Sequence, residues 1–245
     1  MKERVARGVK RSRKKNPALL AAAALLALAA VGAAFALDGI VGEWQRANHA
    51  GAWREFAQAC SRYGDWPPLA GAVVVAAIVA RFFKARRAVM VLCTMLAASV
   101  LAGAIVNPLR VATGRARPVE KVESGWHGMR RDGKWLAGKY AYSSFPSAHT
   151  TVAFAFATPL FLAGWRAGLC GWFVAALIGW SRIELGAHHP SDVVVGAMLG
   201  WACGWVLVRS ANVRWWTWRM ASAACGLRSR WPRASSRCRL PLDGK

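Results

Sequence analysis

Acidic residues are scarce in this 245-residue chain, which has 11 Asp and Glu against 34 Lys and Arg and a net charge of +23. Such a charge is common in nucleic-acid-binding proteins. Here, however, it gathers at the chain ends, with eight basic residues in 1–17 and nine in 209–245. We interpret it as a determinant of membrane topology and expect no nucleic-acid partner.

Alternation of apolar and polar residues, which is typical of elements around a soluble core, is also missing. The hydrophobic residues stand in six long blocks: Ala18–Leu37, Pro68–Phe83, Ala88–Asn107, Thr150–Trp165, Ala167–Trp180 and Val193–Val208. A membrane-spanning helix needs about 20 apolar residues, and the shorter blocks reach that length when their flanking tryptophans enter the interface. The sequence therefore predicts an all-α, polytopic membrane bundle of about six transmembrane helices.

Six spans place the three basic regions, residues 1–17, 84–87 and 209–245, on the same side of the membrane. Basic flanks mark the cytoplasmic side, so both termini are expected to be cytoplasmic. We predict a basic N-terminal segment (1–17), a six-span membrane domain (18–210) and a partly disordered Arg/Trp-rich tail (211–245).

The first apolar block has a second interpretation as a cleaved secretory signal, because Ala34-Phe35-Ala36 resembles a cleavage site. The apolar region of a signal peptide is only about 7 to 15 residues long, which favours a retained span. The six cysteines form no CxxC pair. Only Cys60 is expected on the oxidising side of the membrane, so no structural disulfide is predicted.

Three polar connections share the outer side in this topology: residues 38–66, 108–145 and 181–190. The first predicts either an interfacial helix or a short lid packed on the bundle. The second holds eight basic residues between Arg110 and Lys139, against the bias of basic residues towards the cytoplasm. An anionic ligand on this side would account for that exception.

Three arginines in these connections, Arg110, Arg117 and Arg182, indicate a phosphate site. The planar guanidinium group binds phosphate oxygens with two parallel hydrogen bonds and stays ionised. Contact with lipid headgroups would explain any one of them, but each stands in a cluster with Pro, Ser or His. The set therefore predicts an enzyme that holds a phosphate group.

Two histidines supply the chemistry. Ser147 can cap the helix of the fourth block, whose first N–H groups would point at an anion, and His149 in the same turn can donate a proton to a leaving oxygen. His188 and Asp192 flank Pro190 at the start of the sixth block. Asp192 can hydrogen-bond one ring nitrogen of His188, which leaves the other free to attack phosphorus.

Metal binding is the competing use of the same side chains. His149, His188 and His189 with Asp192 could in principle bind zinc. Three arginines in the same motifs would repel a dication, so we expect no metal and no cofactor. His189 is then expected only to line the turn.

These residues resemble the type 2 phosphatidic acid phosphatase (PAP2) family, which shares its core with vanadium haloperoxidases. The family pattern KxxxxxxRP, PSGH and SRxxxxxHxxxD appears here as Arg110-x6-Arg117-Pro118, Pro146-Ser147-Ala148-His149 and Ser181-Arg182-x5-His188-x3-Asp192. Arg110 stands where lysine is usual, and Ala148 replaces glycine. Neither departure removes a catalytic group.

The resemblance implies roles for these residues. His188 would be the nucleophile of a metal-independent mechanism through phosphohistidine, with Asp192 as its orienting partner and His149 as the acid that protonates the leaving group. The residues implied in phosphate binding are Arg110, Arg117, Ser147, the backbone N–H of Ala148, and Arg182.

The resemblance also implies an integral membrane lipid phosphatase at the outer face of a bacterial inner membrane, with a phosphorylated lipid and the bilayer as its partners. Candidate substrates are undecaprenyl diphosphate, phosphatidic acid, phosphatidylglycerophosphate and lipid A phosphates; an isoprenoid diphosphate is favoured as a common role of bacterial relatives. The alternatives are a catalytically silent membrane protein that binds anionic lipid or a partner, a phosphatase of soluble esters, and a vanadate-dependent haloperoxidase, against which six spans argue. The oligomeric state is left open.

Overall fold

A computed structural model describes residues 16–47 and 52–228, which form seven α-helices, a two-stranded ribbon and two short 3₁₀ helices. The α-helices are α1 (Pro17–Ala47), α2 (Ala52–Tyr63), α3 (Trp66–Phe82), α4 (Arg86–Thr113), α5 (Ala148–Ala157), α6 (Trp165–Glu184) and α7 (Pro190–Arg228). The ribbon pairs β1 (Arg130–Arg131) with β2 (Lys134–Trp135). Five of the six apolar blocks coincide with α1, α3, α4, α6 and α7, while Thr150–Trp165 is divided among α5, a 3₁₀ helix and the first residue of α6. The predicted all-α membrane bundle is confirmed.

The helices differ in their capacity to cross a membrane. Within the described ranges, three are long and apolar enough: α1, α4 and the Pro190–Ala211 part of α7. The segments Trp53–Tyr63 and Trp66–Phe82 pass together as one span bent by 56°, which raises the count to four. Helix α5 is short because it gives way at Thr158–Leu162 to a 3₁₀ helix. Helix α6 has 20 residues, but its ends carry the charged residues Arg166, Arg182 and Glu184.

The first connection is more helical than its sequence suggested. Helix α1 continues ten residues beyond Leu37 to Ala47, and its second half buries Asp38 and Gln45 against the bundle. Of the two predictions for this connection, an interfacial helix or a lid packed on the bundle, helix α2 combines a helical segment with packing on the bundle. It packs on α6, where the rings of Trp53 and Phe56 lie 6.3 and 6.0 Å from that of Trp180.

The polar ends of the helices gather at one end of the bundle. Asp65, which caps α3, approaches His149 in the first turn of α5, and Arg182 in the last turn of α6 contacts α2. The basic loop 84–87 joins the end of α3 to the start of α4, at the end of the bundle opposite these polar residues. Since 17 helical residues extend about 25 Å, the polar end and the basic loop lie roughly one membrane core apart.

Close contact between α5 and α7 depends on three glycines spaced four residues apart, Gly196, Gly200 and Gly204. A Cβ atom at Gly200 would lie 2.1 Å from the Thr151 carbonyl oxygen, and one at Gly204 would lie 2.5 Å from Thr158 Cβ. Small residues at this spacing let helix backbones approach within membranes. The pairing fixes the start of α7 beside the start of α5.

The predicted terminal segments are described only in part. Residues 1–15, which are most of the predicted basic segment, and residues 229–245, which are about half of the predicted tail, lie outside the described residues. The first part of the tail, residues 211–228, continues α7 as helix.

Candidate active site

The loop between α4 and α5 brings the first motif to the other two. Helix α4 ends at Gly114, which has φ +55°; a Cβ atom there would lie 1.9 Å from the Gly128 carbonyl oxygen. After this turn, the Arg115 carbonyl accepts a hydrogen bond from Ser144 N–H at 3.1 Å. The Asp192 carbonyl accepts one from Ser147 N–H at 3.0 Å. The three motifs therefore meet at the polar end of the bundle.

His188 is the buried centre of this site, with a relative exposure of 1%. Its Nδ1 lies 2.8 Å from the Ser144 carbonyl oxygen. A carbonyl can only accept, so Nδ1 carries the proton and Nε2 keeps its lone pair. Burial, reinforced by the nearby cations Arg117 and Arg182, lowers the pKa of His188 to about 3 despite the opposing influence of Asp192. The imidazole is therefore neutral at neutral pH, as a nucleophile requires.

Asp192 lies farther from His188 than the predicted hydrogen bond between them requires. Its Oδ2 is 3.5 Å from His188 Nδ1, while the shorter contact of that nitrogen goes to the Ser144 carbonyl. The carboxylate is instead held by Arg115 at 2.5 Å, by the Ser144 hydroxyl at 2.5 Å and by His189 N–H at 2.8 Å. At 3.5 Å it can act on His188 through its charge and through a weak hydrogen bond.

Arg110 and Arg117 are held in place by backbone carbonyls rather than by acids. Arg110 donates two hydrogen bonds to the Ser143 carbonyl, at 3.0 and 2.9 Å. Arg117 donates to the Tyr140 and Ala187 carbonyls at 2.9 and 3.0 Å, and its guanidinium lies 3.6 Å from the Tyr140 ring centroid. With no carboxylate opposing them in these bonds, both groups keep a positive charge available for an anion.

Arg117 remains cationic in spite of its burial. Burial lowers its pKa to about 10, and the neighbouring cations Arg110 and Arg182 act in the same direction. A cation crowded by other cations in a poorly hydrated site is stabilised by an anion placed among them.

Arg182 completes the group of three. Its Nη1 donates to the Ser61 hydroxyl of α2. Its Nε is buried and has no hydrogen-bond partner among the described residues. An unsatisfied buried guanidinium nitrogen costs free energy unless a ligand accepts from it. A phosphate oxygen is the natural acceptor for such a donor.

The start of α5 carries the second motif. Ser147 occupies the N-cap position as predicted, but its side chain makes no capping bond; its Oγ accepts a hydrogen bond from the Thr150 hydroxyl at 3.0 Å. Ala148 is the first helical residue. His149 Nε2 lies 3.4 Å from Asp65 Oδ1, a partner that sequence reasoning did not identify. Burial and the neighbouring Arg182 lower the pKa of His149 to about 4, and Asp65 only opposes that shift. A phosphate dianion bound beside His149 would raise its pKa again, towards the protonated form that a general acid needs.

Sequence reasoning missed several further residues. His189 does more than line the turn: its Nε2 lies 3.2 Å from the Ala116 carbonyl oxygen, and its N–H binds Asp192. Arg115, two residues before Arg117, is buried between Asp192 and Asp38. The available signal for Asp38 was an acid at the edge of an apolar block, which is rare without a function.

The described residues contain no group of three or more His, Cys, Asp or Glu placed to hold a metal ion. A cavity of about 550 Å³ opens beside His149 and Arg110. It extends between α3, α4 and α5 along Val100, Val106 and Val152. A larger cavity of about 700 Å³ lies beside Arg81 and Lys84, at the opposite end of α3 from the three motifs.

Comparison with known proteins supports the resemblance. The chain is 34% identical over 128 residues to the lipid A 1-phosphatase of Rhizobium etli, which covers 52% of this chain and 49% of the relative. It is 32% identical to lipid phosphate phosphatase 1 of Arabidopsis thaliana, over 43% of this chain and 40% of that one. The chain thus matches about half or less of the length of these curated relatives.

Two solved structures share the fold. LpxE of Aquifex aeolicus has 24% sequence identity and a TM-score of 0.52, covering 71% of this chain and 95% of that one. A PAP2-type phosphatidylglycerolphosphate phosphatase of Bacillus subtilis has 18% identity and a TM-score of 0.52, covering 78% and 93%. The model of the PAP2 superfamily matches residues 88–216, which include all three motifs. The chain belongs to the PAP2 superfamily.

Proposed function

We propose that this protein is an integral membrane lipid phosphatase that hydrolyses a phosphate monoester or diphosphate of a lipid through a phosphohistidine on His188. The observation that carries this proposal is the hydrogen bond from His188 Nδ1–H to the Ser144 carbonyl at 2.8 Å, which leaves the Nε2 lone pair for attack. The three arginines supply the cationic surroundings that a transferring phosphoryl group needs.

The reaction would run in two steps. In the first, His188 Nε2 forms a bond to phosphorus while the bond from phosphorus to the lipid oxygen breaks, and His149 gives its proton to that oxygen. In the second, His149 takes a proton from water as the water oxygen attacks phosphorus. The bond to nitrogen breaks and inorganic phosphate leaves. Asp192 offsets the positive charge that the His188 ring carries between the steps.

The lipid character of the substrate rests on the cavity beside His149. Its walls along α4 and α5 are largely apolar, and Arg110 and His149 also line it. A lipid whose phosphate meets the arginines could place the start of its hydrocarbon chain there. Relatives named for lipid A 1-phosphate and lipid phosphate favour testing those headgroups beside undecaprenyl diphosphate, phosphatidic acid and phosphatidylglycerophosphate.

The orientation is also part of the proposal. The site lies at the end of the bundle opposite the basic loop 84–87, which the positive-inside rule assigns to the cytoplasm. We therefore infer an inner-membrane protein with cytoplasmic termini and an outward-facing site.

The test measures phosphate release from this panel of lipids by detergent-purified full-length protein, with and without EDTA. Native protein is compared with His188→Asn and with His127→Asn, a matched change at a histidine in the loop outside the site. Release by native protein and His127→Asn, with none by His188→Asn, supports the proposal. A phosphoryl group stable to alkali but labile to acid, trapped on native protein alone, supports the intermediate.

Three outcomes contradict it. Equal release by His188→Asn removes His188 as nucleophile. Silence of the native protein across the panel, with retained binding of anionic lipid vesicles, favours the catalytically silent binding protein. Loss of release on adding EDTA contradicts the metal-independent chemistry.

A further inference from the structure

Helix α1 precedes the segment that the superfamily model covers, residues 88–216, yet it reaches into the site. Asp38 on this helix is 8% exposed and lies against the start of α7. Its Oδ1 accepts a hydrogen bond from Ser191 N–H at 3.0 Å, and its Oδ2 accepts one from the Ser191 hydroxyl at 2.6 Å. The contact therefore involves the residue directly before Asp192.

A single guanidinium joins the two carboxylates. Arg115 donates from Nη1 to Asp192 Oδ1 at 2.5 Å and from Nη2 to Asp38 Oδ2 at 2.6 Å. Its side chain is 8% exposed, and its charge lies 4.7 Å from the Trp126 ring centroid. Because the planar fork is held at both ends, fixing one carboxylate fixes the direction from which Arg115 meets the other.

The charge balance of this cluster matters for His188. One cation and two anions leave a net charge of about −1 beside a ring that becomes positive when its Nε2 is phosphorylated. Without the charge of Asp38, the positive charge of Arg115 would be balanced by the negative charge of Asp192, and the cluster would carry no net charge. The cluster would then offer less stabilisation to the cationic ring.

A second contact ties α1 to the same loop. Gln45, 2% exposed, donates from Nε2 to the Ile183 carbonyl at 2.6 Å, and the His188 carbonyl lies 3.5 Å from the same nitrogen. Helix α1 therefore holds the segment from α6 to α7 at both of its ends.

We propose that α1 is a positioning element of the active site, in which Asp38 acts through Arg115 to hold and charge-balance Asp192 behind His188. This inference rests on the proposed phosphatase function. Asp38 and Arg115 are positioning residues, since neither contacts the phosphate site directly.

The test is a double-mutant cycle on kcat with the lipid that the native protein hydrolyses best. It compares native protein, Asp38→Asn, Arg115→Gln and the double variant, all full-length. A control cycle replaces Asp38→Asn by Glu43→Gln, the same loss of charge on an exposed part of α1. The inhibition constant of inorganic phosphate, a competitive inhibitor, reports whether Arg110, Arg117 and Arg182 still bind phosphate. The number of phosphate ions bound per chain reports the fraction of protein with an intact site.

We expect Asp38→Asn to lower kcat about 10-fold and Arg115→Gln about 100-fold, in the range of couplings between residues in contact. The double variant should lose no more than Arg115→Gln, because neutralising Asp38 relieves a carboxylate that has lost its cation. Glu43→Gln should leave kcat unchanged, and combining it with Arg115→Gln should give the same kcat as Arg115→Gln alone. The inhibition constant for phosphate should change less than about twofold, with one binding site per chain throughout.

A purely structural role of Asp38 would instead reduce the number of phosphate sites, with kcat per site unchanged. Equal kcat for Asp38→Asn and Glu43→Gln, or losses that multiply in the double variant, would overturn the proposal while native activity leaves the phosphatase function intact. If Asp38→Asn does not fold, Asp38→Ser replaces it, since it removes the same charge from Arg115, and native kcat in that variant would overturn the proposal equally. Absence of phosphatase activity in the native protein would contradict both the proposed phosphatase function and the positioning role of Asp38.

Discussion

The Nδ1 atom of His188 lies 2.8 Å from the Ser144 carbonyl oxygen and 3.5 Å from Asp192 Oδ2, so a backbone group rather than the carboxylate receives its shorter contact. A carbonyl fixes the tautomer because it can only accept a hydrogen bond. In the proposed mechanism, the carboxylate would then serve mainly as a charge that favours the phosphorylated, cationic ring. One acid often both fixes the tautomer of a histidine and stabilises its positive charge. Here the Ser144 carbonyl does the first, and Asp192 is expected to do the second.

This division predicts the effect of Asp192→Asn. In serine proteases, replacing the acid by an amide lowers kcat about 10⁴-fold because the histidine takes the wrong tautomer. Here the Ser144 carbonyl should keep the correct tautomer, and we expect a smaller loss of about 10²-fold. The measurement is kcat for the best lipid substrate, beside Ser144→Ala, which removes only a hydroxyl donor to Asp192. A loss as deep as that of His188→Asn would mean that the carboxylate sets the tautomer.

His149 is predicted to act on the leaving group. His149→Gln should lower kcat about 10²–10⁴-fold for a lipid phosphate, the range typical of a general acid. The loss should be much smaller for p-nitrophenyl phosphate, whose leaving group departs without a proton. Asp65→Asn removes the carboxylate 3.4 Å from His149 Nε2. It should also lower kcat more for the lipid phosphate than for p-nitrophenyl phosphate, but both losses should be smaller than those of His149→Gln. Equal losses for the two substrates would exclude proton donation as the role of His149.

The glycines between α5 and α7 are predicted to set the geometry of the site. Gly200→Ala would bring a Cβ atom within 2.1 Å of the Thr151 carbonyl oxygen, so the two helix backbones must separate. Overpacking of this kind costs about 1–3 kcal/mol. We expect a thermal midpoint several degrees lower in detergent, with reduced kcat because Ser147 and Asp192 are bonded across this contact.

Gly71→Ala is the matched control, since a Cβ atom there meets nothing within 4 Å. Alanine should be neutral or slightly stabilising at this helical position. Equal midpoints for the two variants would show that α5 and α7 can separate without cost.

The sequence predicted the helices and the motif residues because both depend on local pattern. Six apolar blocks became helices, and the motif residues from Arg110 to Asp192 met at one end of the bundle. These features are readable because each is set by residues within a few turns of one another. Gly196, Gly200 and Gly204 were not identified from the sequence, because their role is to admit α5, which only the fold brings beside them.

Contacts between segments that are distant in the chain could not be predicted from local sequence patterns. Asp38 and Arg115 are separated by 77 positions, and nothing local to either one indicates the other. Likewise, Ser144 contributes a backbone carbonyl, which every residue possesses, so its identity gives no signal. The distance from His188 to Asp192 follows from these partners and could not be read from their spacing of four.

The buried His188 also predicts how stability depends on pH. Its pKa falls from about 6.5 in the unfolded chain to about 3 in the folded protein, chiefly through burial. Between these values the unfolded state binds more protons, so this contribution to stability is fully present above pH 6.5 and is lost as pH falls towards 3. The slope is about 1.4 kcal/mol per pH unit.

His188→Asn removes this titration while the other ionisable groups remain. The thermal midpoint of the native protein should therefore fall more steeply than that of His188→Asn as the pH is lowered from 7.5 to 4.5. His127→Asn provides the control and should follow the native curve, because its side chain lies outside the buried site. Parallel curves for native protein and His188→Asn would mean that His188 accepts a proton in the folded state as readily as in the unfolded chain, and its neutral, nucleophilic form would then be lost at mildly acidic pH.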